Sequence, residues 1–127
     1  MAGASPANGR TRVLVADDER IIADTLTIIL RQNGYDATAV YGGMDALETA
    51  KSWQPDLLLA DVVMPDMSGI EAAVHIHALL PQCRIVLLSG QAATSDLMQN
   101  ARRDGHEFEV LLKPIHPTQL LAQLQKD

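Results

Sequence analysis

The sequence predicts an α/β domain built on a doubly wound parallel sheet, with helices on both faces. Three observations predict it. Short runs at 13–16, 57–60, 85–88 and 110–112 are aliphatic throughout, as strands covered on both faces are, rather than alternating in and out. Longer stretches with helical spacing separate them. The two textures alternate along the chain, and right-handed crossovers then stack helices on both sides of the sheet.

The elements follow in order. Strand β1 is 12–16. Helix α1 is 19–33, where Ile22, Leu26 and Ile29 stand at i, i+4 and i+7 with Leu30 beside them. The Asn33-Gly34 pair stops it. Strand β2, 35–40, is the weakest of the five. Helix α2 is 43–52 and strand β3 is 56–60. Helix α3, 69–80, opens on Ser68-Gly69-Ile70-Glu71, which has capping-box spacing, and ends before Pro81. Strand β4 is 84–89. Helix α4, 95–103, takes a cap from Thr94-Ser95-Asp96. Strand β5 is 108–112. Helix α5, 117–125, starts on Pro117, tolerated in a first turn because its missing N–H would have been unpaired anyway. Leu120, Leu121 and Leu124 mark its apolar side.

Composition narrows the function. The 127 residues fit one domain. Hydrophobic residues make up 47% and charged residues 20%, an ordinary balance for a folded chain. Aromatic residues make up only 3%, so the core is aliphatic. The apolar runs fall far short of the roughly 18 residues that span a bilayer, which speaks against a membrane role. The net charge of −6 argues against autonomous nucleic-acid binding, which relies on Lys and Arg against phosphates. A single cysteine, Cys83, makes no internal disulfide and suits a reducing, cytoplasmic compartment. Residues 1–10 are small and polar, with no apolar stretch of a secretory signal. They read as a disordered tail or expression remnant, leaving 11–127 as the domain.

Ligands of such sheets bind beyond the carboxyl ends of the strands, at the switch in strand order. There the sequence places Asp17 and Asp18 after β1, Asp61 after β3, Ser89 at the end of β4 and Lys113 after β5. Two carboxylates about 4 Å apart repel by about 4 kcal/mol at an effective dielectric near 20. A divalent cation relieves this, and Mg²⁺ favours few carboxylates plus waters and phosphate oxygens. Lys113 can pair a carboxylate at rest and a phosphate oxygen later. The Ser89 hydroxyl can donate to the same phosphate. An Asp oxygen is a competent nucleophile toward a phosphoryl group, with positioning and charge neutralisation doing the rest.

These residues resemble a response-regulator receiver domain of two-component signalling. The matching pieces are Asp17-Asp18, the run 61–69 (Asp-Val-Val-Met-Pro-Asp-Met-Ser-Gly), Ser89-Gly90 and Lys113-Pro114. Each stands at the end of its own strand, over about 12–125. The resemblance implies a flavodoxin-like strand order 2-1-3-4-5 with five flanking helices. It implies Asp61 as phosphoacceptor, with Asp18, Asp61 and the Val63 carbonyl as Mg²⁺ ligands and Asp17 acting through water. Ser89 and Lys113 then contact the phosphoryl group. The implied donor is a phosphohistidine of a sensor kinase or phosphotransfer protein. The implied output is a change in partner binding through the face formed by α4, β5 and α5. Such a domain promotes its own phosphorylation and slow dephosphorylation, and is not otherwise an enzyme. The target is a downstream protein or an effector domain absent from this chain. Stand-alone receiver and fragment of a larger protein both remain open.

The sequence also departs from the family pattern. Val110 stands where receivers usually carry an aromatic switch residue, with Phe108 on the same side of β5 about 6.6 Å away. The stretch from Gly105 to Lys113 is longer than usual, and His116 stands where many receivers place a Thr or other cap after Lys-Pro. Val63 and Gln91 flank the expected path of attacking water, and an apolar Val63 is expected to slow hydrolysis.

Blander readings stand beside these. Asp17-Asp18 alone reads as a cap for α1. Asp61 alone reads as an exposed turn acid, Ser89 as a strand-ending hydroxyl, Lys113 as a surface lysine. His75 and His77 lie two apart on a helix and cannot chelate one ion, and His106 and His116 lack a partner at ligand spacing. Cys83, Trp53, Met64 and Met67 read as packing residues. Two other functions compete. A haloacid-dehalogenase-like phosphohydrolase needs a second Asp two residues after the first, and Val63 stands there. A degenerate receiver that only docks partners normally lacks the acceptor, acid pair or lysine, and all are present.

Overall fold

All five strands form and pair in parallel. The computed structural model describes residues 9–90, Gln99, Gly105 and 108–126. The strands are β1 (Arg12–Ala16), β2 (Asp36–Val40), β3 (Leu57–Asp61), β4 (Arg84–Ser89) and β5 (Glu109–Leu112). Their order is β2-β1-β3-β4-β5. Four helices are described: α1 (Arg20–Gln32), α2 (Gly43–Trp53), α3 (Gly69–Leu79) and α5 (Pro117–Leu124). The expected α4 and the tail 1–8 lie outside the described residues.

Alternation along each buried strand feeds two core layers. Leu14, Ala16, Leu58, Ala60, Ile85 and Leu87 face α2 and α3. Val13, Val15, Leu57, Leu59, Val86 and Leu88 face α1 and α5. Burying each Leu or Val contributes about 1.5–3 kcal/mol. Small residues bring α2 close to the sheet, since Ala46 and Ala50 are fully buried.

Helix α1 departs from expectation by about one residue. Its buried stripe is Ala23, Leu26, Thr27 and Leu30. Ile22 and Ile29 are only half-buried, and Ile21 and Ile28 are exposed. The helix carries aliphatic residues on more than one face, so hydrophobicity alone leaves its rotation undetermined. Ala23 turns inward at no steric cost. The buried Thr27 hydroxyl donates to the Ala23 carbonyl at 2.8 Å.

Two of the expected helix signals operate, while the Thr94-Ser95-Asp96 cap lies outside the described residues. The Ser68 hydroxyl oxygen accepts the Glu71 N–H at 3.1 Å. Asn33 ends α1, and Gly34 follows at φ +93°, a conformation glycine adopts without strain. No helix among the described residues is long and apolar enough to cross a membrane.

At the end of the sheet opposite the C-terminal rim, Arg84 clamps α5. Its Nε and Nη2 donate to the two Glu109 carboxylate oxygens at 2.6 and 2.7 Å. The guanidinium also donates to the carbonyls of Gln123 and Leu124 at 2.8 and 3.0 Å. The hydrogen bond from Arg84 holds the Glu109 carboxyl below its ordinary value of 4.5. A depressed carboxyl stabilises the fold above its unfolded pKa, and that contribution is lost as pH falls through the folded value. Glu109→Gln is therefore expected to cost about 1 kcal/mol at neutral pH, given partial exposure of the pair. The difference from wild type should shrink once pH drops below 4.5 and vanish only below the lower value held in the fold. Urea melts at pH 7 and pH 3 check this.

Candidate functional site

Strand register builds the site. Ala16 lies opposite Ala60, so the next residues of β1 and β3, Asp17 and Asp61, are neighbours at the switch point. Asp61 is paired with Leu88 and Ser89 with Leu112, so Ser89 and then Lys113 continue the rim. The Lys113 N–H donates to the Ser89 carbonyl at 2.9 Å. A cis peptide bond joins Lys113 to Pro114.

Asp17, Asp61 and Ser89 are buried, at 0%, 6% and 2% exposure. The Lys113 ammonium reaches between the acids, 3.1 Å from Asp61 Oδ2 and 3.4 Å from Asp17 Oδ2. Asp17 Oδ1 accepts the Glu19 N–H at 2.9 Å. Asp61 Oδ1 accepts the Val63 N–H at 3.4 Å. The blander reading of Asp17 as a cap for α1 does not hold, since the N-cap is Glu19 and no side chain caps it; the Asp17 carboxylate instead closes a turn on the Glu19 N–H and also faces Lys113.

The charges couple. Burial raises the Asp17 carboxyl above its ordinary value; the Glu19 N–H opposes this and the Asp61 charge adds to it. For Lys113, burial pulls the ammonium down, but the hydrogen bond and charge of Asp61, backed by Asp17, reverse this and leave its pKa raised. A proton therefore leaves Asp17 reluctantly and stays on Lys113.

Asp18 is exposed, and the carboxylate group that closes up is Asp17, Glu19 and Asp61, with oxygens within 4.8 Å of one another. Sequence reasoning missed Glu19. The third acid of Asp17-Asp18-Glu19 was its only signal, and the tight turn on Asp17 brings it round to 4.0 Å from Lys113. Val63 is 71% exposed. Gln91 and His106 lie outside the described residues. Hard carboxylate oxygens suit Mg²⁺ or Ca²⁺ and not thiophilic metals, so this donor set fits a magnesium ion.

The other singled-out residues sit elsewhere. His75 and His116 are exposed. His77 meets the Phe108 ring edge-on at 6.0 Å. Cys83 is buried, and burial pushes its thiol up to about 12, which disfavours the reactive thiolate. Met64 and Trp53 pack against the α2–α3 core layer.

Comparison with known proteins decides the family. A model of the response regulator receiver domain matches residues 13–125. The chain belongs to that family. This receiver is 32% identical over 116 residues to the DNA-binding response regulator MtrA of Mycobacterium tuberculosis, covering 91% of this chain and 50% of that protein. It is 32% identical over 114 residues to the response regulator MprA of Mycobacterium ulcerans, covering 90% of this chain and 48% of that protein. The receiver thus spans about half the length of these curated relatives. Among solved structures it superposes on a CheY-like receiver domain protein from Methanospirillum hungatei with a TM-score of 0.83 at 26% identity, covering 91% of each chain. The chemotaxis protein CheY4 of Vibrio cholerae gives 0.82 at 27% identity, covering 91% of this receiver and 97% of that chain. The receiver is therefore a two-component signalling domain with the CheY-like fold and strand order 2-1-3-4-5.

Proposed function

We propose that this receiver takes a phosphoryl group onto Asp61 from a phosphohistidine of a sensor kinase or phosphotransfer protein, in a Mg²⁺-dependent reaction, and thereby changes its affinity for a partner. The observation that carries the reading is the Lys113 ammonium held between two buried carboxylates at the switch point. An Asp61 oxygen forms the new P–O bond as the P–N bond to the donor breaks, and the imidazole leaves carrying a proton from solvent. Lys113 passes from the Asp61 carboxylate to a phosphoryl oxygen, and the Ser89 hydroxyl donates to another. Asp18, Asp61 and the Val63 carbonyl, with Asp17 and Glu19 beside them, would hold the metal. Bound magnesium supplies positive charge that offsets the carboxylates and the transferring group.

A groove of about 520 Å³ opens beside the site, lined by Lys113, Pro114, Ile115, Ile21, Ile22 and Ile29. Because Lys113 belongs to both groove and site, a donor presenting its histidine to Asp61 would rest on these apolar side chains. The same reading places the receiver in the cytoplasm with its donor. Its output goes to a downstream protein or to an effector domain outside this chain, with no direct nucleic-acid contact of its own. Val110 is 41% exposed at the usual aromatic position, while Phe108 is packed against the core. Output therefore runs by a route other than aromatic rotation at residue 110.

Incubation with acetyl phosphate and Mg²⁺, followed by intact mass, tests the reading. Wild type should gain one phosphoryl group and Asp61→Ala none. Asp18→Ala should need more Mg²⁺ for the same gain. No gain in any protein would point to a docking module instead. A Val63→Asn receiver, once phosphorylated, should lose the group faster. An added hydrogen bond to the attacking water, at about 1 kcal/mol, corresponds to roughly fivefold. An unchanged half-life would show that Val63 does not limit hydrolysis.

A further inference from the structure

Asp66 lies in the loop between β3 and α3, and its carboxylate is turned onto the start of α2. Oδ1 accepts the N–H groups of Gly43 at 3.0 Å and Met67 at 2.9 Å. Oδ2 accepts the Met44 N–H at 3.0 Å. Helix α2 has Gly42 at its N-cap, which brings no side chain of its own to cap it. A carboxylate from a distant loop therefore satisfies the N–H groups that a local cap would ordinarily serve. These donors, Met44 first and Gly43 next, hold the Asp66 carboxyl below its ordinary value.

The contact is close on both sides. A Cβ on Gly43 would lie 2.6 Å from the Met67 carbonyl oxygen, and one on Gly42 would lie 3.0 Å from Asp66 Oδ2. Glycine at both positions lets the loop lie directly on the helix. The base of the loop is tied separately: the Val62 N–H donates to the Leu88 carbonyl at 3.0 Å, and the Gly69 N–H to the Val62 carbonyl at 2.8 Å. Val63, whose N–H contacts the Asp61 carboxylate, lies between these ties and the Asp66 anchor.

We infer that Asp66 is a positioning residue for the phosphoacceptor site: by pinning the loop to α2 it holds the Val63 main chain, and with it the Asp61 carboxylate, where metal uptake and phosphoryl transfer need them. The chemistry rests on the function proposed above, but the geometry does not. Asp66 touches neither metal nor phosphoryl group, and acts through the backbone of its loop.

Three variants test it: Asp66→Ala, Asp66→Asn, which keeps one acceptor oxygen, and Gly43→Ala, which displaces the loop with Asp66 intact. Amide hydrogen exchange, Mg²⁺ titration calorimetry and acetyl-phosphate labelling are read on each. Asp66→Ala should speed exchange at residues 63–67 while leaving β4 unchanged. It should weaken Mg²⁺ binding by about tenfold, as loss of an outer support to a metal site does, and slow labelling at limiting Mg²⁺. Asp66→Asn should recover most of the loss, and Gly43→Ala should reproduce it. A lower melting temperature with unchanged loop exchange and Mg²⁺ affinity would mean that Asp66 serves α2 alone, and overturns the inference. If wild type binds Mg²⁺ but takes no phosphoryl group, the proposed function fails on its own, and exchange and calorimetry still decide the role of Asp66. A wild type that binds no Mg²⁺ overturns both.

Discussion

Gly69→Ala should destabilise the receiver by about 3 kcal/mol, the upper end for forcing an atom into a filled site. For a domain of this size that is a fall of roughly 10 °C in melting temperature. A Cβ at residue 69 would overlap the Asp61 carbonyl oxygen and sit 2.8 Å from the carbon of that carbonyl and 3.1 Å from Val62 Cα. The neighbours are main chain, so no side-chain rotation relieves the overlap. Either α3 backs away or the end of β3 bends. The second outcome moves Asp61 itself, and a displacement near 1 Å at a reacting group costs on the order of a hundredfold in rate. The control is Gly90→Ala, whose Cβ would meet, among the described residues, only Lys113 Cδ at 4.0 Å and should fold as wild type does. Calorimetry and acetyl-phosphate labelling measure both effects. A Gly69→Ala protein with wild-type stability would show that the β3–α3 junction yields.

Lys113→Ala removes the cation shared by Asp17 and Asp61. Breaking a buried pair from one side typically costs about 3–5 kcal/mol. The Lys113 side chain is 21% exposed, so water screens part of this and about 2 kcal/mol, or roughly 7 °C, is expected for the metal-free protein. The Asp17 carboxyl, already raised by burial, should rise further without the ammonium. Mg²⁺ at millimolar concentration should restore more stability to Lys113→Ala than to wild type, because the ion offsets the same charges and binds only the folded site. Melting curves with and without Mg²⁺ decide it. Equal Mg²⁺ stabilisation of the two proteins would show that metal and ammonium relieve different charges.

Several contacts were legible because they depend on neighbours in sequence. Ser68 and Glu71 meet at the start of α3 as the capping spacing requires, and Asn33-Gly34 ends α1. The rim residues were legible because a residue directly after a strand in an α/β sheet can only emerge at the carboxyl edge. Glu19 was missed because its place depends on a turn around the Asp17 carboxylate. Asp66 was missed because its partners, Gly43 and Met44, lie more than twenty residues away.

The pattern of aliphatic runs and helical spacings by itself determined that this chain makes a parallel α/β sheet carrying Asp17, Asp61, Ser89 and Lys113 on one edge. Periodicity and strand-end position are local properties, and burial on both faces enforces them. The tertiary structure alone decided which side of α1 turns inward, that Glu19 rather than Asp18 closes on the buried acids, and that Asp66 caps a helix from another loop. Those outcomes depend on packing clearance and on hydrogen bonds between segments far apart in the chain, and no local spacing encodes either.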